Sequence, residues 1–168
     1  MASQPIPNVT SEQYLEWERE SPTKHEYFDG EIIAMSVSIF DHNLIAGNIL
    51  RLFGEQLKGK RCRAFGSDLR VAIGSQRLIC CPGVLVACPP FEFLSKVADT
   101  LVNPVFVVET LSQSTRARDR SFKLPHYREI PSLKGYLLIS NLNAVLELPF
   151  LECRLPVSQI YADVSPAA

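Results

Sequence analysis

The apolar positions of the chain recur with two different periods, and these periods predict its secondary structure. Thr10 is followed three residues later by Gln13, the spacing of a capping box, which predicts a helix over residues 11–20. Asp29-Gly30 is a strong two-residue turn signal between aromatic and β-branched residues. We therefore expect a hairpin over residues 25–35.

A second helix and a series of strands are predicted further along the chain. Residues 42–58 carry apolar side chains at helical spacing, with Gly59 just beyond their end. Apolar or alternating runs predict strands over 61–73, 81–88, 104–111 and 135–140. Continuous apolar runs are typical of strands that are covered on both faces. The order of elements predicts an α/β fold, in which a mixed β-sheet is flanked by helices, with the first helix and the hairpin at its N-terminus.

Prolines interrupt the pattern in the last third of the chain. A helix is predicted over 118–130, but Pro125 lies inside it, where a proline costs about 3 kcal/mol. Beyond it, Pro149 and Pro156 mark two turns between alternating apolar residues, and 158–162 predicts a last helical turn.

The composition is that of one globular domain. The chain has 168 residues, of which 46% are hydrophobic and 21% charged, so we expect a single domain over 1–168. No apolar stretch approaches the roughly 20 residues of a membrane helix. The polar, proline-containing N-terminus lacks the features of a secretory signal. We therefore expect a cytoplasmic protein without membrane association.

Charge and cysteine content narrow the function classes further. The formal net charge is −1, so any binding of nucleic acid requires a local basic patch rather than a protein-wide field. The five cysteines include no Cys-x-x-Cys pair, which disfavours a zinc site. We expect them to be reduced thiols that pack as small apolar residues.

Three charged residues have positions that suit a catalytic or metal-binding role. Glu109 lies within an apolar run, where an unpaired charge is costly, so it is either a metal ligand or a carboxylate held by backbone donors or an arginine. Asp68 follows a Gly-Ser turn and is either a second ligand or a turn residue. Lys123 follows on the next helix and is either solvated or catalytic. Two carboxylates and a lysine are the minimal set for metal-dependent cleavage of a phosphodiester.

Several segments also follow one another in a distinctive order. They are HEYFDGE (25–31), DHNLIAGNI (41–49), FGSDLRV (65–71), CPGVLVAC (81–88), NPVFVVETLSQST (103–115), DRSFKLPHYREIPSLKGYLLIS (119–140) and LPVSQIYADV (155–164). In this order they resemble the Uma family of restriction endonucleases, in the PD-(D/E)xK nuclease superfamily. The match covers almost the whole chain. The resemblance implies a restriction-endonuclease-like fold and cleavage of DNA that depends on Mg²⁺ or Mn²⁺.

The resemblance also implies roles for individual residues. Glu109 matches the family's strand carboxylate, and Asp68 matches the aspartate of the GSDLRV segment; both are expected metal ligands. Lys123 matches a catalytic lysine on the helix after the strand. Glu31 and His42 match polar positions around the family's cleft.

The chain departs from the family pattern at two places. Gly83 stands where the family has the metal-binding aspartate of its proline-aspartate pair, and glycine supplies no ligand. The stretch from 141 to 154 is shorter than the corresponding part of the family. We expect the first departure to weaken or abolish Mg²⁺ binding.

These observations predict a metal-dependent DNA endonuclease with an incomplete active site. The alternative is a catalytically inactive module of nuclease fold that binds DNA or a partner protein, including a homodimer formed through an exposed sheet edge. Gly83 discriminates between them, since a binding module tolerates the lost ligand and an enzyme does not.

Overall fold

The computed structural model describes residues 9–35, 40–110, 119–139 and 145–164. The helices within these ranges are α1 (Ser11–Glu20), α2 (Phe40–Gln56), α3 (Leu124–Tyr127) and α4 (Val157–Ile160). The strands are β1 (His25–Phe28), β2 (Glu31–Ala34), β3 (Arg63–Gly66), β4 (Arg70–Ile73), β5 (Leu78–Cys80), β6 (Val84–Ala87), β7 (Thr100–Leu101), β8 (Phe106–Thr110), β9 (Gly135–Ile139), β10 (Val145–Leu148) and β11 (Cys153–Pro156).

Two main β-sheets face each other across a shared apolar layer. The first sheet has the order β2-β1-β5-β4-β7 and the second has the order β3-β6-β8-β9. Each is mixed, because β7 runs parallel to β4 and β9 runs parallel to β8. The apolar layer between them contains side chains from both sheets: Val71, Ile73, Leu78, Leu85, Ala87 and Val107.

Helices cover the outer faces of both sheets. On the first sheet, Tyr14 and Leu15 of α1 pack against Tyr27 and Ile79. On the second sheet, α2, the β10–β11 hairpin and α4 enclose the remaining core. Successive residues of a strand point to opposite faces, so strands covered on both sides must be apolar throughout. The predicted mixed α/β fold with flanking helices is therefore confirmed, although its strands form two main sheets instead of one.

Local sequence signals account for the N-terminal elements. The side chain of Thr10 accepts a hydrogen bond from the backbone of Gln13, whose own side chain accepts one from the backbone of Thr10. This capping box starts α1 at the predicted residue. Asp29 and Gly30 both adopt positive φ, at 48° and 97°, as a tight turn between β1 and β2 requires.

Two sequence predictions are wrong in their boundaries. The run 61–73 is divided between β3 and β4, which belong to different sheets, because the turn at Ser67-Asp68 redirects the chain. The helix predicted over 118–130 is shorter: a π-helical turn, Asp119–Lys123, leads into α3. Pro125 is the second residue of α3, so it lies where the π-helical turn changes to α-helix.

The C-terminal part of the described chain forms a small hairpin and a helical turn. β10 pairs antiparallel with β11, and Pro149–Leu151 forms a 3₁₀ turn between them. Residues 140–144 lie outside the described ranges, so the shortening between 141 and 154 stays a prediction. Among the residues that the structure describes, no helix has the length and apolar character needed to cross a membrane.

The expectation of reduced thiols is wrong for two of the cysteines. Arg63 pairs with Ala87 in the β3–β6 ladder, so Cys62 and Cys88 stand opposite each other one residue further along, and a disulfide joins them. Cys80, Cys81 and Cys153 are free and buried, as expected. The sequence gives no sign of the disulfide, since the pairing depends on the register of two strands distant in the chain.

Reduction of this disulfide is expected to lower the free energy of unfolding by about 2–4 kcal/mol, the usual range for a crosslink over a loop of this length. The bond closes a loop with a sequence separation of 26 residues. Urea unfolding with and without dithiothreitol measures the effect. The control is the double variant Cys62→Ser/Cys88→Ser, which should not respond to the reductant. A wild-type urea midpoint that does not change on reduction would count against the crosslink.

Candidate functional site

A carboxylate of the N-terminal hairpin points into the gap between the two sheets. On β1, Tyr27 packs toward α1, so the neighbouring Glu26 faces the opposite side, toward the second sheet. Glu26 is only 4% exposed. Its location between two sheets therefore depends on the alternation of β1 and on the tight turn that sets the register of the hairpin.

A second carboxylate enters the same gap from the other sheet. On β8, Val107 belongs to the layer between the sheets and Val108 belongs to the core under α2. Glu109 therefore shares the inward face of Val107, and it is 6% exposed. The strand that the sequence identified thus carries its charged residue into the interior.

Lys123 joins the two carboxylates. Its Nζ lies 2.7 Å from Glu26 Oε1 and 3.1 Å from Glu109 Oε1, and the lysine is 5% exposed. It is the last residue of the π-helical turn that precedes α3. Turns of this kind occur often at functional sites, where they change the direction in which a side chain points.

An uncharged pair extends the cluster on the side of α3. The hydroxyl of Tyr127 donates a hydrogen bond to Glu109 Oε1 at 3.1 Å, and the Sγ of Cys80 lies 3.1 Å from the same hydroxyl oxygen. Burial raises the pKa of Tyr127 and of Cys80 well above their usual values. Both groups therefore stay protonated at neutral pH, and Tyr127 remains a hydrogen-bond donor.

The electrostatics of this cluster follow from its burial. A charge without a partner is costly in such a place, and two carboxylates without a cation would repel each other. The lysine ammonium opposes both effects. Glu26, Glu109, Lys123, Tyr127 and Cys80 thus form one connected group, hereafter the buried cluster.

Gly83 lies beside the buried cluster. Val84 of β6 pairs with Val108 of β8, so Gly83, directly before β6, is opposite Glu109, which follows Val108 on β8. A Cβ atom at Gly83 would lie 3.4 Å from the carbonyl oxygen of Val108 and 3.5 Å from Thr110 Oγ1. Position 83 is therefore opposite Glu109 in the register of the two strands, and the atoms nearest its Cβ position belong to Val108 and Thr110.

The structure places Asp68 away from the interior. It lies in the turn between β3 and β4, its side chain is 95% exposed, and its carboxylate pairs with Lys24 Nζ at 2.5 Å. The lysine ammonium, which is hydrogen-bonded to the carboxylate, lowers the pKa of Asp68. The described contacts of Asp68 are those of a solvated turn residue. This is the alternative to a metal ligand that the sequence left open.

The structure also places Glu31 and His42, the two residues predicted to line the cleft. Glu31 is exposed at the start of β2, where it pairs with Phe28 across the hairpin. His42 lies in the first turn of α2, the helix that packs on the opposite face of the sheet carrying Glu109. The structure therefore brings together Glu109 and Lys123 from the predicted set, adjacent to Gly83.

Glu26 is the member of the cluster that sequence reasoning missed, and a signal for it exists. In the segment HEYF, Tyr27 is an apolar core position, so a hairpin packed on both faces must bury Glu26 as well. A carboxylate at a buried position of a short strand is as informative as Glu109 in its apolar run.

The carboxylates of the cluster can be compared with the ligands that a divalent cation prefers. Carboxylate oxygens are the ligands that Mg²⁺ and Mn²⁺ prefer, and Mg²⁺ sites often use one or two carboxylates with water and phosphate oxygens. Glu26 and Glu109 meet that minimum. Within the described ranges, no group of three or more His, Cys, Asp and Glu side chains could hold a metal ion. The two carboxylates are thus a minimal donor set for a cation, and Lys123 Nζ already contacts both of them.

A family model and two relatives match this chain. The model of the family Uma2, described as "Putative restriction endonuclease", matches residues 11–161. The uncharacterized protein slr1290 of Synechocystis is 38% identical over 146 residues, covering 87% of this chain and 76% of that protein. The uncharacterized protein sll1609 of the same organism is 31% identical over 131 residues, covering 78% and 74%.

A solved structure has the same fold. It is the crystal structure of a protein from Anabaena variabilis described as a "putative nuclease belonging to DUF820". The TM-score is 0.65 with 19% sequence identity, over 92% of this chain and 98% of that one. At this level of identity the similarity shows the fold alone.

Proposed function

This chain belongs to the Uma2 ("Putative restriction endonuclease") family, and on that premise we propose that it is a metal-dependent DNA endonuclease whose metal site lacks one carboxylate. The observation that carries the proposal is the convergence of Glu26 and Glu109 on Lys123 Nζ, at 2.7 and 3.1 Å. Two carboxylates and a lysine that meet in one place form the minimal set of side chains for metal-dependent hydrolysis of a phosphodiester.

The two carboxylates would hold the cation, Mg²⁺ or Mn²⁺, from opposite sheets. When bound, such a cation polarises the phosphodiester and lowers the pKa of a water molecule. Because Glu26 and Glu109 belong to separate sheets, the fold itself sets their separation. Their burial strengthens the attraction for a cation, since water screens the charges less there.

Lys123 would have two roles in this proposal. Without a cation its single positive charge offsets part of the charge of the two carboxylates, as its distances to both indicate. With a cation bound, its ammonium supplies positive charge near the phosphate, where negative charge develops in the transition state. The same side chain would then stabilise the folded protein and assist the reaction.

Gly83 makes the proposed site weak. The family's aspartate at this position would add a third carboxylate next to Glu109, and glycine removes it. Glu26 supplies a second carboxylate that the sequence analysis did not foresee. We therefore expect low affinity for the cation and slow cleavage.

The test is cleavage of supercoiled plasmid in Mn²⁺ by the wild type, Glu109→Ala and Glu26→Ala. Cleavage by the wild type should be slow and sensitive to chelator. Each substitution should reduce it by at least about 10²-fold, the loss typical when a group that stabilises the transition state is removed.

The matched controls are Asp68→Ala and Glu31→Ala. Both remove an exposed carboxylate, and both should leave the rate within about twofold, since exposed charges interact weakly. A wild-type rate that Glu26→Ala does not change would remove Glu26 from the site. Loss of cleavage in Asp68→Ala would restore that residue as a ligand.

Burial favours a second candidate, a nuclease-fold module that binds DNA without cutting it. All three charged residues are at most 6% exposed, which suits a structural role for the cluster. Such a module would retain DNA in chelator, and its affinity would fall as salt increases. A gel shift in chelator, together with the absence of cleavage in every folded variant, would favour this candidate over the enzyme.

A further inference from the structure

Tyr127 places an uncharged hydrogen-bond donor on the carboxylate of Glu109. Its side chain is fully buried, and its hydroxyl lies 3.1 Å from Glu109 Oε1. Lys123 Nζ lies 3.1 Å from the same oxygen. One carboxylate oxygen therefore accepts hydrogen bonds from two donors, which restricts rotation of the carboxylate plane.

Both donors belong to one short segment. Lys123 and Tyr127 are four residues apart, a spacing that places two side chains on the same side of a helix. The π-helical turn ends at Lys123 and α3 follows it directly. The segment thus presents an ammonium and a hydroxyl to Glu109 together.

The hydroxyl of Tyr127 is itself fixed in place. The Sγ of Cys80, on β5, lies 3.1 Å from its oxygen. Its ring packs against the ring of Tyr136, with centroids 4.8 Å apart. The side chain of Tyr127 thus contacts a residue of each main sheet and is held at both its ring and its hydroxyl. It therefore has little freedom to move.

We propose that Tyr127 is a positioning residue, which orients the carboxylate of Glu109 for binding a divalent cation. The inference rests on the proposed function, since it concerns the same site. Hydrogen bonds to a ligating carboxylate set its orientation, and loss of such a partner typically weakens metal binding by about 10–100-fold. Tyr127 contacts Glu109 and is not itself placed among the ligands.

The test measures Mn²⁺ binding by isothermal titration calorimetry in the absence of DNA. The variants are Tyr127→Phe and Tyr14→Phe, each made in the wild type and in Gly83→Asp. Tyr14 is the matched control: it is also fully buried, but its hydroxyl donates a hydrogen bond to the carbonyl oxygen of His25 at 2.7 Å instead of to a carboxylate of the cluster. Urea midpoints of the two tyrosine variants report whether both remain folded.

The expected result is Mn²⁺ binding about 10–100-fold weaker in Tyr127→Phe than in Tyr14→Phe, at comparable urea midpoints. If Mn²⁺ binds and the two tyrosine variants bind it equally, the inference is overturned and the proposed function stands. If neither the wild type nor Gly83→Asp binds Mn²⁺, the metal site of the proposed function fails and the role of Tyr127 fails with it.

Discussion

Replacing Lys123 with methionine is expected to lower the free energy of unfolding by about 3–5 kcal/mol, the cost of breaking a buried ion pair by removing one partner. The substitution keeps most of the length of the side chain and removes the ammonium. Glu26 and Glu109 are then left as two buried carboxylates without the cation that lies within 3.1 Å of both. Equilibrium unfolding in urea at neutral pH measures the loss.

Two further variants separate charge from packing in this prediction. Lys58→Met makes the same change at an exposed lysine and should alter stability by less than about 0.5 kcal/mol, as surface substitutions usually do. Adding Glu26→Gln and Glu109→Gln to Lys123→Met removes the unpaired charges and should recover part of the stability. A Lys123→Met protein as stable as Lys58→Met would show that the cluster does not depend on the ammonium.

Replacing Gly83 with aspartate is expected to tighten Mn²⁺ binding by at least about tenfold, which corresponds to ~1.4 kcal/mol. The backbone permits the change: Gly83 is not among the glycines with positive φ, and a Cβ atom there would be at the limit of ordinary contact with its neighbours. The hydroxyl of Thr110 is buried, has no hydrogen-bond partner among the described residues and lies 3.5 Å from that Cβ position. An aspartate could therefore accept a hydrogen bond from Thr110 beside Glu109.

Calorimetric titration with Mn²⁺ measures this gain, and Gly83→Asn is the matched control. Asparagine has the shape of aspartate without its charge, so it should leave the affinity close to that of the wild type. Equal affinity of Gly83→Asp and Gly83→Asn would mean that the effect does not come from a third carboxylate. An unchanged affinity in both would mean that position 83 does not reach the cation.

Local signals in the sequence predicted the N-terminal elements well. The capping box of Thr10 and the turn at Asp29-Gly30 act over a few residues, so their structures follow from chemistry that adjacent residues supply. The same is true of α2, whose apolar stripe predicted a helix over 42–58 where the structure has Phe40–Gln56. Continuous apolar runs also predicted strands covered on both faces.

The candidate site could be predicted only in part, because its geometry depends on distant contacts. Glu109 and Lys123 were identified from the sequence, and the structure brings them together with Glu26, which lies far earlier in the chain. The turn that carries Asp68 directs its side chain to solvent, and no local pattern distinguishes that orientation from an inward one. The disulfide between Cys62 and Cys88 depends likewise on strand register.

Glu26 and Glu109 are, in the proposed function, the carboxylates of a nuclease site that the glycine at position 83 has weakened. Plasmid cleavage in Mg²⁺ tests this assignment with the wild type, Gly83→Asp, Gly83→Asp/Glu109→Ala and Gly83→Asp/Glu26→Ala, each confirmed as folded. We expect Gly83→Asp to cut much faster than the wild type, and both double variants and chelator to stop cleavage. Cleavage by Gly83→Asp/Glu26→Ala at the rate of Gly83→Asp, or by the wild type at that same rate, would refute the assignment.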